Sequence, residues 1–191
     1  TNTAIDANRV ALIGHSRHGK AVLWAGTQDQ RVAVVISNSI GEGGAPLARR
    51  NFGENIAYSI GHASWRYCEQ FRNFIDSAEA VLFDQQMLLA MIAPRPLYVG
   101  SSTRDLLADP KGEFLSTLNA GPGYGLYGLR GLETIEPEIC NRHLLVLKSL
   151  QNQPLRCCFQ FHHSGAMLKS PNSLIFLRLQ HSSRILLHNP G

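Results

Sequence analysis

The alternation of apolar and polar positions is clearest over the first 120 residues. Residues 9–13, Arg-Val-Ala-Leu-Ile, form a short apolar run that predicts a buried strand ended by Gly14. Residues 17–27 predict a helix, with Ala21, Val22, Trp24 and Ala25 as its apolar stripe. Residues 32–37, Val-Ala-Val-Val-Ile-Ser, are β-branched and almost wholly apolar, which suits a central parallel strand covered on both faces. A glycine-rich loop follows at 41–44, and residues 80–92 predict a second helix. Pro94 and Pro96 then punctuate the chain before a third strand at 97–101. A loop over 102–110 and a helix over 111–118 complete the regular part. Strands separated by crossovers this long predict an α/β fold, with a mostly parallel sheet flanked by helices in three layers.

Beyond Asn119 the pattern degrades. Glycines at 121, 123, 125, 128 and 131 predict a loop. Residues 144–150 and 174–179 are leucine-rich, but no periodicity separates helix from strand there. The reading is of two parts, residues 1–135 as a portion of an enzyme domain and residues 136–191 as an atypical tail.

Composition changes this picture mainly through charge. The 191 residues carry a formal net charge of +4, which would suit a nucleic-acid binder if it formed a basic face. It does not. All 14 acidic residues and 12 of the 18 Lys and Arg precede residue 139, giving −2 there and leaving +6 for residues 139–191. The basic balance therefore comes from the tail, and a nucleic-acid partner is not expected. No apolar stretch reaches the ~18 residues of a membrane span, and no membrane partner is expected. Cysteines at 68, 140, 157 and 158 have neither C-x-x-C nor zinc-ligand spacing, so no metal is expected.

The chemistry centres on Ile13-Gly14-His15-Ser16-Arg17-His18-Gly19-Lys20. A nucleophilic serine needs a sharp strand-to-helix turn with small flanking residues, as in G-x-S-x-G. Here Gly14 stands before the turn, and His18 occupies the place of the last glycine, with Gly19 one residue later. On pattern alone, Ser16 reads equally as a nucleophile or as the cap of an ordinary βα turn.

The wider sequence resembles the glucuronoyl methylesterases, a carbohydrate esterase family with an α/β-hydrolase fold. Gly14-His15-Ser16-Arg17-His18-Gly19-Lys20 is similar to their G-x-S-R-x-G-K motif. Arg49-Arg50-Asn51-Phe52-Gly53-Glu54, Ile92-Ala93-Pro94-Arg95-Pro96-Leu97 and Asp105–Phe114 also resemble family segments, in the same order. The resemblance covers about residues 5–130. It implies a partial α/β-hydrolase whose first strands lie outside this chain, cleaving uronic-acid esters in plant cell-wall polysaccharide by serine catalysis. An acetyl-xylan or other acyl esterase, and an inactive fragment, are the alternatives. The resemblance further implies a polysaccharide or small ester as substrate, no cofactor, and a secreted or periplasmic location. The oligomeric state is not legible.

Residue by residue, the resemblance implies Ser16 as nucleophile and Arg17 as oxyanion donor. It also implies Lys20 and Glu54 as sugar contacts. Leu107 stands where the family often has a Trp against the sugar. Many members carry the triad acid just after the Ser-Asn of the second strand, where this chain has Ser39. Asp105, after the third strand, is then the expected acid, in the order Ser, acid, His; Glu42 is a weaker alternative. His15 and His18 read as packing or rim residues. The family ends on Y-H-x-R-x-G-x-H, against which Phe161-His162-His163-Ser164-Gly165-Ala166-Met167 places Met167 at the catalytic histidine. Either His162 or His163 could substitute if the loop is rearranged, and His163 is the one expected here. The acid-free tail and the departure from the family pattern together read as a truncated coding sequence with a frame slip after about residue 130.

Overall fold

The computed structural model describes residues 10–129 together with strands at 133–134, 144–148 and 175–178. Strand β1 (Val10–His15) runs into helix α1 (Arg17–Gln28), and β2 (Val32–Asn38) follows. Helices α2 (Ile56–Ala63) and α3 (Gln85–Ala90) lead to β3 (Leu97–Ser101) and α4 (Pro110–Gly125). Short strands β4 (Glu133–Thr134), β5 (Leu144–Lys148) and β6 (Ile175–Arg178) complete a sheet ordered β4-β5-β3-β2-β1-β6.

The central strands β1, β2 and β3 are parallel, in the register Ile13–Ile36–Tyr98. Antiparallel strands join at either side, β6 on β1 and β5 on β3. The two leucine-rich stretches without legible periodicity are thus strands; the rest of the tail reading lies outside the described residues. One sheet face packs on α1, α3 and α4 through Val22, Leu23, Val35, Leu89, Val99 and Tyr124. The opposite face carries a smaller cluster of Ala11, Val34 and Ile36. A third cluster, built on Ile56, Ile60 and Val81, organises the long connection between β2 and β3.

Three expectations about helices need correction. The buried face of α1 is Gly19, Val22, Leu23, Gly26 and Thr27, while Ala21 and Trp24 face outward. Close approach, not hydrophobic bulk, selects that face. A Cβ at Gly26 would lie 2.4 Å from Val35 Cγ2, and one at Gly19 would lie 2.0 Å from Ile40 Cγ2. The helix expected over 80–92 begins only at Gln85, because Asp84 caps it and also accepts from the amides of Ala48 and Arg49. Leu82 and Phe83 stand outside it, exposed. Conversely, α4 runs through Gly121, Gly123 and Gly125, three of the glycines expected to form a loop. Gly123 backs onto Ala90, and Ala120 and Tyr124 are fully buried, so packing overrides poor helix propensity. Pro110 at the start of α4 needs no amide partner there.

Below the carboxyl edge of the sheet, Glu113 of α4 is fully buried. Its Oε1 accepts from the Ile40 amide at 2.8 Å, and its Oε2 accepts from Ser101 Oγ. One side chain thereby ties the ends of β2 and β3 together. Burial pushes its pKa up to about 8, against the opposing hydrogen bonds from Ser101 and Ile40.

Two expected outcomes follow from this packing. The folded state holds a proton on Glu113 that the unfolded chain releases above its ordinary value near 4.5. Stability therefore falls as pH rises from that value towards 8 and then levels. Glu113→Gln should flatten this part of the urea-denaturation profile by several kcal/mol, on the order of 1.4 kcal/mol for each pH unit of that interval; parallel profiles for the two proteins would contradict it. Gly19→Ala should cost roughly 1–3 kcal/mol by overpacking against Ile40. Combined with Ile40→Ala, it should cost less than the two single losses together. Additive losses would remove the contact from the account.

Candidate active site

At the end of β1 the chain turns abruptly at Ser16, whose φ of 55° and ψ of −126° lie outside the usual range for a non-glycine residue. Two backbone bonds hold the turn: the Ser16 amide donates to Asn38 O at 2.9 Å, and the Lys20 amide donates to Ser16 O at 3.2 Å. Gly14 makes it possible, since a Cβ there would lie 2.3 Å from His18 O. Ser16 precedes α1 but makes no side-chain capping bond, and an ordinary cap has extended backbone. The geometry thus departs from the plain capping alternative. An exposed hydroxyl on a strained strand-to-helix bend is instead the arrangement that presents a serine for attack.

The glycine pattern that looked imperfect in sequence also has a structural reason. His18 is half-buried, and the close contact with the next loop is made by Gly19 against Ile40. His15 is exposed and its Nδ1 lies 2.9 Å from Asn38 Nδ2, which keeps it on the rim beside the turn.

Arg17 and Lys20 line an open cleft of about 590 Å³. Its other walls come from Gly43 in the loop after β2 and from Trp65, Arg66, Tyr67 and Phe83 in the long connection. Lys20 Nζ sits 3.3 Å from Glu54 Oε2, both groups largely shielded. Glu54 in turn lies over Gly41, where a Cβ would come within 2.2 Å of its Oε2.

Glu54 is also joined to the segment that carries Asp105 and Leu107. Its amide donates to Leu107 O at 2.7 Å, and Gly53 packs against the carbonyls of Leu106 and Leu107. Arg50 makes two bonds to the buried Asp109, at 2.8 and 3.2 Å. Asp105 itself is half-buried in the loop leaving β3, with β2 between that strand and β1. One of its oxygens accepts from the Ala108 amide at 3.3 Å, so it caps its own turn. The Leu107 side chain is half-exposed, and neither residue lines the cleft.

The structure therefore brings Ser16, Arg17, Lys20 and Glu54 to one end of the sheet, and links Glu54 by backbone to the loop of Asp105 and Leu107. Ser39, at the place of the family acid, is buried with φ of 43° and donates its amide to Gly100 O. His163 lies outside the described residues. Among the described residues no cluster of His, Cys, Asp or Glu is arranged to hold a metal.

Glu42 carries more than its glycine surroundings suggested. It is buried, and its Oε1 has no hydrogen-bond partner among the described residues. Burial pushes its pKa up to about 7, opposed by the Gly43 amide and the Lys20 charge. It exchanges a proton near neutral pH beside the Lys20–Glu54 pair. The sequence offers it as an alternative acid, but its burial is not legible there.

Comparison with known proteins shows the family. Residues 1–122 match the family described as glucuronyl esterase of fungi. A carbohydrate esterase from an unknown prokaryotic organism is 45% identical over 134 residues, covering 70% of this chain and 31% of the relative. The 4-O-methyl-glucuronoyl methylesterase of Podospora anserina is 31% identical over 105 residues, covering 51% and 22%. Among solved structures, a promiscuous CE15 esterase from a marine bacterial metagenome superposes with a TM-score of 0.68 at 43% identity. A glucuronoyl esterase from Solibacter usitatus superposes with a TM-score of 0.65 at 44% identity. In both, 71% of this chain corresponds to 34% of the solved chain, so it spans about a third of their length. With residues 1–122 matched by that family and an α/β-hydrolase core shared with these solved esterases, the chain belongs to the glucuronyl esterase family.

Proposed function

We propose that this chain carries the nucleophile portion of a serine esterase acting on uronic-acid esters of plant cell-wall polysaccharide. The observation that carries the reading is the uncapped Ser16 hydroxyl on its strained bend, with Arg17 next to it at a cleft. Ser16 Oγ attacks the ester carbonyl as His163 takes its proton, forming a tetrahedral oxyanion. The Arg17 guanidinium meets that developing charge. The C–O bond to the alcohol then breaks and the alcohol leaves with the proton. Water next attacks the acyl-serine, releases the uronic acid and restores Ser16.

Asp105 orients and stabilises the histidine in this scheme, from the loop two strands away from the nucleophile. Lys20 and Glu54, already paired, present a donor and an acceptor to sugar hydroxyls, and Leu107 offers an apolar edge. No step calls for a cofactor. A polysaccharide substrate of this size puts the site of action outside the cell. The relative described as promiscuous favours a second reading, in which the same serine also cleaves simpler acyl esters.

A fluorophosphonate probe should modify Ser16, and Ser16→Ala should abolish the adduct in a peptide-mapping mass spectrum. Turnover should be faster on a benzyl glucuronate than on nitrophenyl acetate, and Arg17→Gln should lower it about 10²–10³-fold. An adduct surviving in Ser16→Ala would overturn the assignment. Labelling without turnover would mean that the nucleophile stands without a working base.

A further inference from the structure

The cleft holds one cation that the scheme above does not use. That scheme assigns Arg17 to the oxyanion, and Lys20 is paired with Glu54, but Arg66 lines the opposite segment and, among the described residues, makes no ion pair. Its position is nonetheless defined. The guanidinium carbon lies 4.8 Å from the centre of the Trp65 ring, which is 76% exposed. Such stacking occupies the flat face of a guanidinium and leaves its N–H edge open, the edge that meets a carboxylate in a two-pronged bond. Among the described residues no carboxylate lines the cleft and neither Arg17 nor Arg66 makes an ion pair, so their charges add to a positive field there.

An esterified uronate is neutral and offers Arg66 no carboxylate. We propose that Arg66 is a specificity-determining residue that receives a second, free carboxylate of the substrate. The favoured substrate is then an ester bearing a negative charge beside the scissile group, on a neighbouring sugar or on the leaving alcohol. This rests on the uronate-ester reading of the same cleft. It goes beyond that reading in choosing acidic over neutral neighbours.

The test is binding, measured calorimetrically at low ionic strength on the full chain carrying Ser16→Ala, so that no turnover intervenes. One pair of ligands is a diuronate monoester and the same compound with a neutral second sugar. The other pair is the 4-carboxybenzyl and the benzyl ester of glucuronate. At least one acidic ligand should bind roughly fivefold more tightly than its neutral partner, a size suited to an exposed charge-assisted pair. The pair that shows the effect identifies the source of the carboxylate. Adding Arg66→Gln should remove the preference while leaving the neutral ligand's affinity unchanged, which also reports an intact fold. Equal binding within both pairs, or a preference that survives Arg66→Gln, would overturn the role of Arg66 alone. Failure of all four ligands to bind would overturn the uronate reading together with it.

Discussion

The close approach of α1 to the sheet is the constraint on which the other features depend. Gly14, Gly19 and Gly26 each stand where a Cβ would meet a neighbour at 2.0–2.4 Å. Only their absence of side chains lets the helix begin directly at the end of β1. The bend this forces falls on Ser16, which takes up a conformation that costs of order 1–3 kcal/mol and is held by the Asn38 carbonyl. Because the side chain does not cap the helix, its oxygen stays available. Strain in the backbone is thus converted into presentation of a hydroxyl.

A second set of contacts couples the loops around that bend. Glu113 binds the chain just after β2 and the last residue of β3, and Arg50 fastens Asp109 at the start of α4. The Glu54 amide then rests on Leu107 O, within the turn that Asp105 caps. Segments assigned to the sugar and to the acid are therefore held as neighbours, although Glu54 and Asp105 are 51 positions apart in the chain. Buried carboxyls at 42 and 113 give this region a dependence on pH that its surface charges do not reveal.

Much of this was legible in the sequence. The three parallel strands and α1 fall where apolar runs and glycine punctuation place them. Ser16, Arg17 and Lys20 come together because three or four helical positions span one turn. The face of α1 was misread because a count of apolar side chains favours Trp24, whereas packing distance favours Gly26. The length of α4 was misread because glycine propensity is local, and the contact of Gly123 with Ala90 is not. The burial of Glu42 and the place of Arg66 in the cleft were not legible for another reason: both arise only when distant segments meet. The expected histidine stays with the tail and outside the described residues.

The most direct measurement is a crystal structure of the chain carrying a phosphonate on Ser16, which mimics the tetrahedral intermediate. The account expects an Arg17 nitrogen about 2.7–3.1 Å from the phosphoryl oxygen, and a positive φ retained at Ser16. It also expects a histidine within hydrogen-bond reach of Oγ, with Asp105 on the far side of that ring. An Arg17 turned to solvent, or an Asp105 remote from any such histidine, would contradict it.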